Sequence, residues 1–137
     1  MIVSLDSEAL NALSGPDSPA MRRVWRAMDA AERDGHDVAV ATVVLAELSR
    51  GRSRTQAVDA LLARHRDGIT CRDTDRRLAR MVGGVLEAAG SGSEDMVDAH
   101  VVAVAVEAGG GVILSQDRAD LERLAAPYRT VVVEGLD

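Results

Sequence analysis

The segment "VILSQDRADL" (residues 112–121) begins as a short apolar run and passes, with no glycine turn, into Asp117, Arg118 and Asp120. An apolar run of this length reads as a buried strand, and carboxylates at its end are not needed for turn chemistry. Similar β-branched runs lie near 2–5, 38–41, 68–71 and 130–133, with this one at 112–115. Between them fall helical patterns at about 7–13, 19–33, 42–50, 55–65, 73–90, 94–108 and 118–125. Strands alternating with helices predict an α/β fold with a mainly parallel sheet. No repeat or linker divides the chain, so residues 1–137 are expected to form one domain.

Composition narrows the chemistry. The 137 residues are 47% hydrophobic and 28% charged, as in a globular protein able to bury roughly two-thirds of its unfolded surface. The longest apolar runs, such as Val101 to Val106, fall far short of the ~20 residues that span a bilayer, so no membrane segment is expected. The start meets Asp6 too early for a signal peptide, and the single cysteine, Cys71, forms no internal disulfide; the expected location is cytoplasmic. All 16 basic residues are Arg, which excludes P-loop and Schiff-base mechanisms. Phe is absent and Trp25 and Tyr128 are the only aromatics, leaving no stacking platform for single strands. The net charge of −6 argues against a nucleic-acid coat protein, though not against an enzyme with a local basic rim.

Carboxylates remain as the chemical groups. Asp6 follows the first strand directly and Asp117 lies two residues past the fourth. In an open parallel sheet the carboxyl ends of strands flank a crevice where the strand order reverses, so both acids can face one cleft. Capping of the following helix is the competing reading for each. In "TVVLAELSRG", Glu47 lies three and four residues after Val44 and Val43, on their apolar face. In "SEDMVDAHVVAVAVEAG", Asp98 shares the stripe of Val101, Val102 and Ala105. Unpaired charges on apolar faces are costly, and two of them suggest a shared site; solvated helix acids are the bland alternative. Four converging carboxylates would repel one another, and a divalent cation relieves that. An all-oxygen ligand set suits Mg²⁺ or Mn²⁺ and disfavours structural zinc. Such an ion activates water and polarises a phosphodiester.

With Asp6 after an N-terminal strand, "VLAELSRG" around Glu47, "DAHVVAVAVEAG" beginning with Asp98 and "VILSQD" ending in Asp117, the chain resembles the PIN-domain nucleases. The match is nearest to the VapC toxins of bacterial toxin–antitoxin pairs and covers nearly the whole length. The resemblance implies a PIN-like domain with strand order 3-2-1-4-5 and Mg²⁺-dependent (or Mn²⁺-dependent) endoribonuclease activity on an RNA substrate. It also implies a homodimer and a VapB-like antitoxin as partner. The family's catalytic and metal-ligating acids carry over to Asp6, Glu47, Asp98 and Asp117. Ser115 matches a position that is often Thr or Ser and orients a ligand or water, while Gln116 stands where the family commonly has a small residue.

Further candidates are weaker. Asp95, one turn before Asp98, is either an outer ligand or a helix cap, and Asp120 either assists Asp117 or lies in a surface first turn. Arg50, Arg52 and Arg54 can guide phosphate into the cleft, or simply compensate a helix dipole. Arg72, Arg76, Arg77 and Arg80 are read as a solvated face, Asp73 and Asp75 as helix-capping acids, and His100 as a packing or interface residue. Gly109–Gly111 follow a helix and precede a strand, the reverse of a phosphate loop, and predict a helix end. Two rival functions remain open: a non-catalytic PIN-fold binding module acting through a protein or RNA partner, and a metal-dependent phosphohydrolase of small phosphoesters.

Overall fold

The computed structural model describes residues 1–137. Its five strands are β1 (Ile2–Leu5), β2 (Asp37–Ala41), β3 (Thr70–Arg72), β4 (Gly111–Ser115) and β5 (Val131–Gly135). They form one sheet in the order β3-β2-β1-β4-β5, with every neighbouring pair parallel. The seven helices are α1 (Ser7–Ser14), α2 (Pro19–Arg33), α3 (Thr42–Leu48), α4 (Arg52–Arg64), α5 (Arg76–Ala89), α6 (Met96–Glu107) and α7 (Ala119–Ala125). This is the α/β architecture and strand order expected from the sequence. The central strands carry apolar residues in succession because helices cover both faces of a parallel sheet.

The helix α2 packs on β1 and β2, while α6 covers β1, β2 and β4 from the other face, flanked by α5 and α7. The core contains no Phe, and it is built from Leu, Val, Ile and Ala with a single Met, Met28. In α6 every residue from Ala99 to Ala105 is buried. A helix that is apolar all round has no outward face, so an inward stripe does not distinguish its positions. The location of Asp98 follows instead from its place in the first turn, the part of α6 that reaches the carboxyl edge of the sheet. One polar contact fixes the helix against the sheet: Ser4, fully buried on β1, donates through Oγ to the carbonyl of Val101 at 3.0 Å.

Element ends differ from expectation where local hydrogen bonds decide them. The strand expected at 68–71 begins at Thr70, because the amides of Gly68 and Ile69 bond back to the carbonyl of His65 and prolong the end of α4. The helix expected from residue 73 starts at Arg76: Asp75 is its N-cap, accepting from the Leu78 amide at 2.9 Å, whereas Asp73 accepts from Thr42 Oγ1 at 2.6 Å. Between α3 and α4 the break comes at Gly51, whose φ of 98° lies in the left-handed region, so α4 starts at Arg52 rather than 55. Arg72 does not lie on a solvated face; its guanidinium pairs with Glu107 at 2.7 Å and with Asp75 at 3.1 Å, joining β3 to α6.

The strand order reverses between β1 and β4, which pair as Ile2↔Gly111 through Leu5↔Leu114. A Cβ on Gly111 would sit 2.0 Å from the carbonyl oxygen of Ile2. The glycine run therefore ends α6 and allows β4 to approach β1, as well as making a turn. Gly111→Ala is expected to cost at least about 2 kcal/mol, because backbone must move to relieve the overlap. A urea midpoint close to that of the parent would contradict this account.

Candidate active site

Asp6 leaves β1 at the reversal of strand order and caps α1, its Oδ1 accepting from the Ala9 amide at 2.8 Å. It is only 5% exposed. Burial pushes its carboxyl up to about 6, and negative charge on Glu8 and Asp98 adds to the rise. Hydrogen bonding from Ser115 and Ala9 offsets part of it. Capping and site membership are thus compatible for this residue. Ser115, buried at the end of β4, has two acceptors within reach, the Asp6 carboxylate and the Asp117 carbonyl, and one proton to give. The observed donation runs to Asp117 at 3.0 Å.

Asp98 is held next to this point because Ser4 fixes α6 three residues further on, at Val101. Its carboxyl is also pushed up to about 6, first by burial and then by repulsion from Glu47, Asp120, Asp95 and Asp117. Carboxylate oxygens of Asp95, Asp98 and Asp120 all lie within 4.8 Å of one another. Asp95 stands at the N-cap position of α6 without making the capping bond. Arg123 Nη2 instead reaches Asp95 at 2.8 Å and Asp120 at 3.2 Å. Hydrogen bonding from Arg123 and Ser91 holds the Asp95 carboxyl below the usual range. No arginine nitrogen comes within 4.0 Å of Asp6, Glu47, Asp98 or Asp117.

The candidate acids occupy different depths. Asp6 is buried and Asp98 half-buried, whereas Glu47 and Asp117 are exposed at the mouth, near enough to raise Asp98. Glu47 was expected on a buried face; in the seven-residue α3 the buried positions are Val44 and Leu48, and Glu47 lies on the exposed side with Ala46. Arg50, Arg52 and Arg54 are exposed, and Arg54 donates to Asn11 Oδ1 at 2.7 Å. His100 packs inside at 5% exposure, its Nδ1 2.7 Å from the Met96 carbonyl and its Nε2 unpaired. Ser4, Glu8 and Arg123 were not singled out from the sequence, and Asp120 belongs with Asp95 and Asp98 more closely than the surface reading allowed. The available signal was the spacing in "DRADLER", which puts Asp117, Asp120 and Arg123 one turn apart.

The donor set is oxygen-only, which suits a hard divalent ion. The carboxylates that come within 4.8 Å of one another, however, are Asp95, Asp98 and Asp120. Of the four expected ligands only Asp98 is among them, with Asp6 buried nearby and Glu47 and Asp117 at the mouth. No family model matches the sequence, and no curated protein matches it. Solved structures do match across the chain. The crystal structure of VapBC2 from Rickettsia felis, bound to a DNA fragment from its promoter, aligns with TM-score 0.67 at 19% identity, covering 100% of both chains. The structure of FitAB bound to an IR36 DNA fragment aligns with TM-score 0.63 at 17% identity, covering 99% of this chain and 95% of that one. The fold is that of the PIN domain. At these identities the likeness is one of fold.

The raised carboxyls give a pH signature. Because Asp6 is protonated more readily folded than unfolded, the native state binds the extra proton between about pH 4 and 6, and stability falls as pH rises through that window. Asp6→Asn, which retains a capping side chain, is expected to be more stable than the parent above pH 7 by on the order of 1–3 kcal/mol. The gain should shrink to nothing below pH 4. Urea unfolding of both proteins across pH in chelator checks this, and a pH-independent difference would contradict it.

Proposed function

We propose that this chain is a Mg²⁺- or Mn²⁺-dependent endoribonuclease of the VapC toxin type, with Asp6, Glu47, Asp98 and Asp117 as its catalytic and metal-ligating acids. The observation that carries the reading is the pair Asp6 and Asp98, both pushed up to about 6 with no cation beside them, at the strand-order reversal of a PIN fold. Their geometry is set before any ligand arrives: Asp6 by its bond to Ala9, Asp98 by the Ser4 anchor. A bound ion would supply a nucleophilic water at neutral pH and draw charge from the phosphodiester. Glu47 and Asp117, at the mouth, are free to turn toward it, and Ser115 can exchange its donation from the Asp117 carbonyl to Asp6. Exposed Arg50 and Arg52 offer guanidinium forks to RNA phosphates.

By analogy with the two-component VapBC2 and FitAB assemblies, the protein partner is an antitoxin of the VapB kind; the homodimer is carried over from the family resemblance alone. No helix is long and apolar enough to cross a membrane.

Millimolar Mn²⁺ is expected to raise the melting temperature and to drive cleavage of a structured RNA, leaving a nucleotide monoester untouched. Asp98→Asn should abolish both effects, lowering cleavage at least ~100-fold. Metal binding should weaken as pH falls through 6, because protons compete for Asp6 and Asp98. A binding module without catalysis would show neither the melting shift nor new RNA ends. Preferential hydrolysis of the monoester would point to the phosphohydrolase.

A further inference from the structure

The acids at the carboxyl edge fall into two groups by what neutralises them. Asp6 and Asp98 have no cation at hand, whereas Asp95 and Asp120 share Arg123. The Arg123 guanidinium is anchored on three separate elements: Nη1 to Ser91 Oγ at 2.6 Å after α5, Nη2 to Asp95 Oδ2 at 2.8 Å before α6, and Nη2 to Asp120 Oδ1 at 3.2 Å on its own helix. Two of these partners are 32 and 28 residues away in sequence, so ordinary helix pairing does not account for the placement. The planar fork holds a fixed positive charge against two of the three residues, Asp95 and Asp120, whose carboxylates with that of Asp98 have oxygens within 4.8 Å of one another.

The geometry points to Arg123 as a built-in cation that takes the place of a second metal ion, so that the site admits a single divalent ion on the Asp6–Asp98 side. This rests on the metal-site reading above. A second divalent ion in the Asp95–Asp98–Asp120 group would compete with Arg123 for two of its three carboxylates, and would meet its charge at close range. Asp95 and Asp120 are then positioning residues: they hold Arg123 and do not contact the resident ion. The lysine-free composition is consistent with the role, because a guanidinium stays charged and satisfies three acceptors in one plane.

The test is the Mn²⁺ stoichiometry of the metal-stripped full chain, counted by electron paramagnetic resonance of free Mn²⁺ and confirmed by the low-temperature signal of the bound ion. The parent is expected to bind one Mn²⁺ per chain with an isolated-spin spectrum. Arg123→Gln, which keeps hydrogen-bonding capacity without charge, should bind two and show a spin-coupled pair; Arg123→Lys should return the count to one. Arg123 is half-exposed and its ion pairs contribute little to stability, so these variants should stay folded, as circular dichroism will show. Two ions in the parent, or one in Arg123→Gln, would overturn the inference while leaving the metal site standing. No ion in the parent would overturn both.

Discussion

Negative charge withdrawn from water is the constraint around which this molecule is arranged. At the point where the strand order reverses, β1 and β4 deliver Asp6 and Ser115 to one spot, and α6 brings Asp98 beside them. None of these placements is optional for the fold. Asp6 starts α1, Ser4 pins α6 to the sheet, and Gly111 lets the two strands meet. The residues that create the electrostatic conflict are therefore supported by the ones that build the core. A site of that kind is preorganised, since its geometry does not depend on the ligand that would relieve it.

The protein handles its carboxylates in two ways. Toward α5, Glu107 and Asp75 are bound to Arg72, and toward α7, Asp95 and Asp120 are bound to Arg123; hydrogen bonding from these arginines lowers the carboxyls of Glu107 and Asp95, and the Leu78 amide and then Arg72 lower that of Asp75. Asp6 and Asp98 have no such partner. The contrast matters because acidic surface clusters are common and usually inert. An acid left unpaired inside, while other acids of the chain are served by arginine, is the less common arrangement, and it is the ground for the metal site proposed above.

Much of the architecture was legible in the chain. The apolar runs at β1, β2 and β4 and the helical stretches between them have the signatures of a covered parallel sheet; Asp6 was marked by its place at a strand end and Asp98, with Glu47, by an apolar helix face. Periodicity failed in two helices. In the seven-residue α3 Glu47 lies on the exposed side, and α6 is buried on all sides, so its stripe was not informative. Boundaries moved where a side chain claimed a backbone group, as when Asp75 rather than Asp73 capped α5. Arg123 and Ser4 could not be identified because their partners lie 28 to 97 residues away, and no local pattern records such contacts.

The pairing of β1 with β4 joins residues 2–5 to 111–115, nearly the full length of the chain. Parallel contacts between such distant segments close late, because the loop entropy must be met before they reward it. Until then Asp6 and Asp98 are hydrated carboxylates like any others. The electrostatic burden is thus taken on in the final stage of assembly, and a partly formed molecule carries the same acids without the crowding that raises them.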